Sequence, residues 1–192
     1  MTETIIDVSK HAAAIFGYGS LVSRASLEQT LGRRYDGPYV PAHVEGWRRS
    51  WDVVMPNPGY YAEGTAGEFE PEFIIYLNVT AKPGGFLNGM LFLVEPTEPD
   101  AMDKREWIYD RRKINEQLRG VKVVGGDAYI YVAKPQFIMS NVESPLQAAV
   151  RASYLEILEA GFADLDASFR YEFEQTSEQV PRHLVVRDKR RQ

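Results

Sequence analysis

The chain of 192 residues contains no cysteine. That excludes a disulfide scaffold, thiolate zinc sites, iron–sulfur clusters and a cysteine nucleophile. Histidine is nearly as scarce. His11, His43 and His183 stand far apart, with no HxH or HxxxH spacing, which argues against a histidine-based metal site. No apolar run approaches the ~20 residues a membrane-spanning helix needs. The stretch Met1 to Asp7 carries acids and no basic residue, so it does not read as a signal peptide. Positive charge is not in excess: 22 Lys and Arg face 27 Asp and Glu, a formal charge of −5, which argues against broad nucleic-acid binding. What remains is an ordinary globular composition, 44% hydrophobic and 26% charged. A chain this long can bury a core without covalent staples, as one domain or a tight pair. A reducing cytoplasm is the simplest compartment for it.

Residues 1–11 are polar and mixed and read as a loose, flexible arm. Ala12 to Phe16 is a short apolar run that enters Gly17-Tyr18-Gly19-Ser20-Leu21, the pattern of a buried strand meeting a tight turn. Ser26-Leu27-Glu28-Gln29 has capping-box spacing and predicts a short helix that ends at Gly32. Val40 to Met55 has strand texture with a bend at Gly46. Residues 56–72, rich in Pro and Gly, read as a long loop of the kind that serves as a lid. Strands follow at 73–79 and 88–94, separated by Pro83-Gly84-Gly85. Thr97 caps a predicted helix over 98–109, a strand is expected near 111–118, and Ala128 to Ala133 is another strand. Ser144-Pro145 reads as the start of a helix carrying Leu146, Val150, Tyr154, Ile157 and Leu158 on one face, with a further helix over 164–175. Residues 181–192 form a basic tail, with Arg182, Arg187, Lys189, Arg190 and Arg191 against Asp188. Such a tail can contact nucleic acid or lipid, but a solvated end folded back on an acidic body is the commoner arrangement. The order is strands, one helix, more strand, then helices. That predicts an α+β protein with a mixed, largely antiparallel barrel over about 12–135 and external helices, the last of them at about 144–176.

Two features carry chemistry. In Gly17-Tyr18-Gly19-Ser20-Leu21, glycine permits positive φ and close approach of backbone N–H groups to an anion. The loop lacks the Gly-Lys-Ser/Thr ending of a Walker loop and the order of a nucleophile elbow, so on spacing alone it is a structural turn. The second is Glu106, beside Trp107 and surrounded by Arg105, Arg111, Arg112 and Lys113. A carboxylate among apolar rings can serve as a general acid/base. A surface Glu paired with a cation is the commoner reading.

A resemblance shifts that balance. Tyr18-Gly19-Ser20-Leu21 after a short apolar strand resembles the signature loop of the γ-glutamylcyclotransferase superfamily, which includes ChaC-like enzymes and γ-glutamylamine cyclotransferases. Gly46-Trp47-Arg48-Arg49-Ser50-Trp51 is similar to its Gly-aromatic-x-Arg-x-aromatic strand. Gly64-Thr65 with Phe73 to Val79 and Gly89 to Phe92 resembles its central strands, and Tyr129-Ile130-Tyr131-Val132 a late strand with a substrate-lining Tyr. The four motifs fall in the family's order across residues 13–135. The resemblance implies a barrel-like fold and release of 5-oxoproline from a small γ-glutamyl compound. The substrate's own amine attacks its γ-carbonyl, with no metal or cofactor. It places Glu106 as acid/base, Tyr18, Gly19, Ser20 and Leu21 as the binding loop, and Tyr131 on the substrate. The loop reads Tyr-Gly-Ser-Leu, nearer the ChaC-like form than Tyr-Gly-Ser-Asn, and Glu63-Gly64-Thr65 stands where ChaC-like proteins carry Arg-Gly-Thr. The expected partner is a small γ-glutamyl substrate, with no nucleic acid and no membrane. Alternatives are a non-catalytic binding protein on the same fold and, more weakly, a nucleic-acid accessory acting through the basic tail.

Overall fold

Two long strands organise the chain, and the glycines in them decide where they bend. The computed structural model describes residues 3–64 and 67–190, so Thr65 lies outside the described residues. In chain order come β1 (Thr4–Asp7), β2 (Ala13–Gly17), α1 (Arg24–Leu31), β3 (Tyr39–Pro56), β4 (Tyr60–Gly64), β5 (Gly67–Phe69) and β6 (Phe73–Val94). Then follow α2 (Pro99–Arg105), β7 (Tyr109–Lys113), β8 (Leu118–Arg119), β9 (Val121–Val124) and β10 (Ala128–Ala133). The chain continues through β11 (Ala148–Arg151), α3 (Ala152–Phe162), α4 (Ala167–Gln175), β12 (Val185–Val186) and β13 (Asp188–Arg190).

The main sheet runs β12-β11-β6-β2-β10-β7, with β3 on the other edge of β6 and β8 beyond β3. The β2–β10, β6–β11 and β11–β12 pairs are parallel, and the rest are antiparallel. This is the expected α+β class, a curled mixed half-barrel with helices outside it. β2 is buried on both faces, which is why its sequence is an unbroken apolar run. Ala14 and Phe16 join the large core that holds Leu77, Leu87, Tyr154, Phe162 and Phe173. Ala13 and Ile15 pack on the opposite side with Leu27, Phe92 and Met102.

Several local expectations give way. Pro83-Gly84-Gly85 does not end a strand. Glu45 pairs with Phe86 and Trp47 with Ala81, so residues 82–85 bulge out opposite Gly46 and β6 resumes on the same partner. Gly46 at φ 85° and Gly84 at φ 73° make that turn possible. The expected loop 56–72 instead folds as the hairpin β4–β5, and β13 pairs with β4. Residues 148–151, read as helix, form β11 because β6 and β12 offer it backbone partners on both sides. Strand pairing therefore continues past residue 135. The supposed loose N-terminal arm contains β1, in register with β9. The basic tail folds back through β12 and β13 as far as Arg190, and Lys189 pairs with Glu63; Arg191 lies outside the described residues. Helix α1 starts earlier than its sequence suggests. Ser23, not Ser26, is its cap, and Ser23 Oγ accepts the Ser26 N–H.

Arg49 ties these layers together. It is fully buried in β3, and its guanidinium lies 3.7 Å from the Phe173 ring centre on α4. It donates to the Tyr18 carbonyl (2.9 Å), Asn88 Oδ1 (3.2 Å), the Asn88 carbonyl and Thr176 Oγ1 (2.9 Å). Arg49→Met keeps the length but strands those acceptors in a dry interior. We expect a loss of about 3 kcal/mol in denaturant unfolding. A change within about 0.5 kcal/mol, the scale of an ordinary surface substitution, would show that the network is dispensable.

Candidate active site

One edge of β6 is only partly used. β11 pairs with it at Phe73 and Ile74, and β2 at Met90 to Val94. Among the described residues no strand pairs with that edge between the two stretches. Tyr76 and Leu77 lie there and line a cavity of about 460 Å³, within the range of small-molecule sites. The cavity therefore sits where the sheet splits.

The Tyr18 loop forms one wall. β2 ends at Gly17, and Ser20–Val22 make a single 3₁₀ turn opened by Gly19, whose carbonyl accepts the Val22 N–H. The turn itself makes no use of the N–H groups of Gly19, Ser20 and Leu21, its first three. Neither Gly17 nor Gly19 has positive φ, contrary to expectation. They are needed for close approach. A Cβ on Gly17 would stand 2.6 Å from Leu21 Cβ, and one on Gly19 would stand 3.0 Å from the Tyr154 hydroxyl. Tyr18 turns away from solvent and donates from its hydroxyl to the Tyr131 carbonyl (2.7 Å).

Glu106 is the opposite wall. The expected helix 98–109 is shorter than its sequence pattern. It runs Pro99–Arg105 with Glu98 rather than Thr97 at its start, and the Glu106 N–H bonds to the Met102 carbonyl at its close. That places Glu106 at the end of the helix, where the chain turns inward. Its side chain is only 14% exposed. Burial raises its pKa above the ordinary glutamate value, and the Arg105 guanidinium, 3.1 Å away, opposes the rise. Trp107 does not supply that burial. It is 44% exposed and packs edge-on against Phe137.

Arg105 connects the two walls. It donates to Ser20 Oγ (2.8 Å), to Ser26 Oγ (3.3 Å) and to Thr30 Oγ1, and it pairs with Glu106. Nothing in its spacing distinguished it from its basic neighbours. Tyr131 also lines the cavity, but its hydroxyl is committed to Asp103 Oδ1 at 2.9 Å. Asp103, the nearest other carboxylate in sequence, is paired with Arg111 (3.1 Å) and 44% exposed. Tyr109 is held by the Leu77 carbonyl (2.9 Å). The structure thus brings Tyr18, Gly19, Ser20, Leu21, Glu106 and Tyr131 to one cavity. Sequence reasoning missed Tyr76, Tyr154 and Arg151, which line it too.

In sequence, the chain matches no family model and no curated protein. Its fold is shared with solved structures. One described as gamma-glutamyl cyclotransferase aligns with a TM-score of 0.53 at 11% identity, over 88% of this chain and 90% of that one. The uncharacterized protein loc79017 from Homo sapiens gives 0.54 at 11% identity, over 87% and 89%. YkqA from Bacillus subtilis gives 0.58 at 15% identity, over 88% of this chain but 55% of its own. At such identities the likeness is one of architecture, and the chain has the gamma-glutamyl cyclotransferase-like fold.

Proposed function

We propose that the protein is a cyclotransferase that releases 5-oxoproline from a small γ-glutamyl compound. The observation that carries this reading is Glu106, a buried carboxylate with a raised pKa, in one cavity with the Tyr18 loop. The substrate brings its own nucleophile, so the absence of cysteine is no obstacle. Glu106 in its ionised form takes a proton from the substrate's α-ammonium. The freed amine attacks the γ-carbonyl, a C–N bond closes the five-membered ring, and negative charge builds on the carbonyl oxygen. The tetrahedral centre collapses as Glu106 returns the proton to the leaving nitrogen and the old C–N bond breaks. The ring nitrogen's second proton then passes, through the ionised Glu106, to the departing amine, which leaves as the ammonium ion. One carboxylate serves as base and then acid. Intramolecular attack supplies the proximity. The N–H groups of Gly19, Ser20 and Leu21 suit the substrate's α-carboxylate or the developing oxyanion.

Glu106→Gln keeps the size and cannot carry the proton. We expect a folded protein that binds γ-glutamyl ligand and forms 5-oxoproline about 10²–10⁴ times more slowly. A near-normal rate would remove Glu106 from the chemistry. Ligand binding without turnover in the unmutated protein would instead mark a non-catalytic binding protein on this fold.

A pH profile gives a second check. The base must be ionised, so kcat/KM should rise with pH along a limb above the ordinary carboxylate range, because burial raises the Glu106 pKa. Stability should run the opposite way. Between the unfolded and the raised folded pKa, the native state binds more protons, so Glu106's contribution is full below that window and is lost as pH rises through it. Both dependences should vanish in Glu106→Gln, measured by initial rates and by thermal unfolding across pH.

A further inference from the structure

Glu106 and the loop do not account for the whole cavity. Tyr60, Tyr76 and Arg151 line it as well. Arg151 is the last residue of β11 and its side chain is 10% exposed. Its guanidinium stacks 4.0 Å from the Tyr60 ring centre. It donates to Ser153 Oγ (3.2 Å) and, at 3.4 Å, to the Tyr76 hydroxyl. Its Nε is buried and has no partner among the described residues. The facing carboxylate, Asp188, stands 3.6 Å away and is already engaged. Asp188 accepts the Ser153 N–H (2.9 Å) and the Ser153 hydroxyl (2.6 Å). Asp188 therefore holds Arg151 in place without a direct hydrogen bond to it. The guanidinium lines the cavity with its terminal N–H groups only partly used, by Ser153 and at 3.4 Å by Tyr76, and such a group is a charged donor that suits a carboxylate.

Covalent geometry decides which carboxylate. In the proposed reaction the γ-carbonyl and the attacking amine lie at Glu106. The α-carboxylate is bonded next to that amine, so it stays on the loop side. What extends along the cavity is the leaving group. Tyr154 lies against Gly19, its ring is 5.1 Å from that of Tyr76, and Tyr76 contacts Arg151, so these rings join the two ends.

We propose that Arg151 binds a carboxylate on the leaving part of the substrate, and that the preferred substrates are γ-glutamyl amino acids or peptides rather than γ-glutamyl amines. This rests on the cyclotransferase reading. The test pairs γ-glutamyl-alanine with γ-glutamyl-alaninamide, which differ only in that carboxylate. The protein should convert the acid with a kcat/KM about 10- to 100-fold above the amide, the worth of a charged hydrogen-bonded contact. Arg151→Gln should erase the ratio by slowing the acid alone, and Arg151→Lys should keep part of it. Equal rates on the two compounds, or an equal loss on both in Arg151→Gln, would overturn the proposal. The unmutated protein decides the question even if a variant fails to fold. Calorimetric binding of the same pair separates this proposal from the reading beneath it. Tighter binding of the acid without any 5-oxoproline would sink the cyclotransferase and leave the anion site standing. Turnover without preference would do the reverse, and neither binding nor turnover would overturn both.

Discussion

The Arg49 guanidinium is sealed from water among oxygens from Tyr18, Asn88, Thr176 and Ser177, with the Phe173 ring across its face. Burying a cation away from carboxylates is costly, and here burial pushes its pKa down to about 9. It is still charged at neutral pH, held chiefly by dipoles, with the Glu172 carboxylate adding a weaker attraction. That arrangement joins three parts of the chain, and a backbone bridge between Arg49 and Ser177, with the Glu178 N–H on the Arg49 carbonyl (3.1 Å), reinforces one of the joints. β3 supplies the charge, α4 and the residues after it supply hydroxyls and a ring, and the Tyr18 carbonyl is the first peptide of the loop. The arginine in the Gly-aromatic-x-Arg-x-aromatic motif is thus a strut that sets where the Tyr18 loop begins.

A second arginine has the same job at the surface of the cavity. Arg105 shares its donors between Ser20 and the Ser26 and Thr30 hydroxyls of α1, and its charge with Glu106. Two effects act on Glu106 in opposite senses, and burial is the larger. A carboxylate poised above its usual range is a better proton acceptor than an exposed one and can still give the proton back. Arg105 limits how far the shift goes and fixes which way the carboxylate points. In the proposed reaction the covalent demands on the protein are small, since nucleophile and electrophile arrive in one molecule.

How much of this was legible in the sequence follows from the range of each interaction. β2 and the turn after it were readable because a both-faces-buried strand and a glycine pair are local signals. β10 was readable for the same reason, as was the end of α1 at Gly32. β11 was not. Its residues carry helical spacing, and only pairing with Phe73 and Ile74, far back in the chain, makes them a strand. The β4–β5 hairpin was hidden by its prolines and glycines, and its third strand comes from the other end of the chain. The site divides along the same line. The loop and Glu106 stood out through motif order. Arg151 lay in a stretch read as helix, and its neighbours Tyr60 and Asp188 are distant in sequence.

The two ends of the cavity are built on different parts of the sheet. The loop end hangs from β2, which grips β6 at Met90 to Val94. The Arg151 end hangs from β11, which grips β6 at Phe73 and Ile74, and it is braced by β4 and β13. Tyr76 and Tyr154 are the side chains through which the ends meet. Sites in a close-packed interior affect one another through contact, and changes without shared partners act nearly independently. A substitution in β4 or β13, which share no partner with Glu106 among the contacts described, is therefore expected to change the far end more than the surroundings of Glu106. If the proposed ring-closing chemistry holds, the split in the edge of β6 is what lets the compound it acts on vary separately from the surroundings of Glu106.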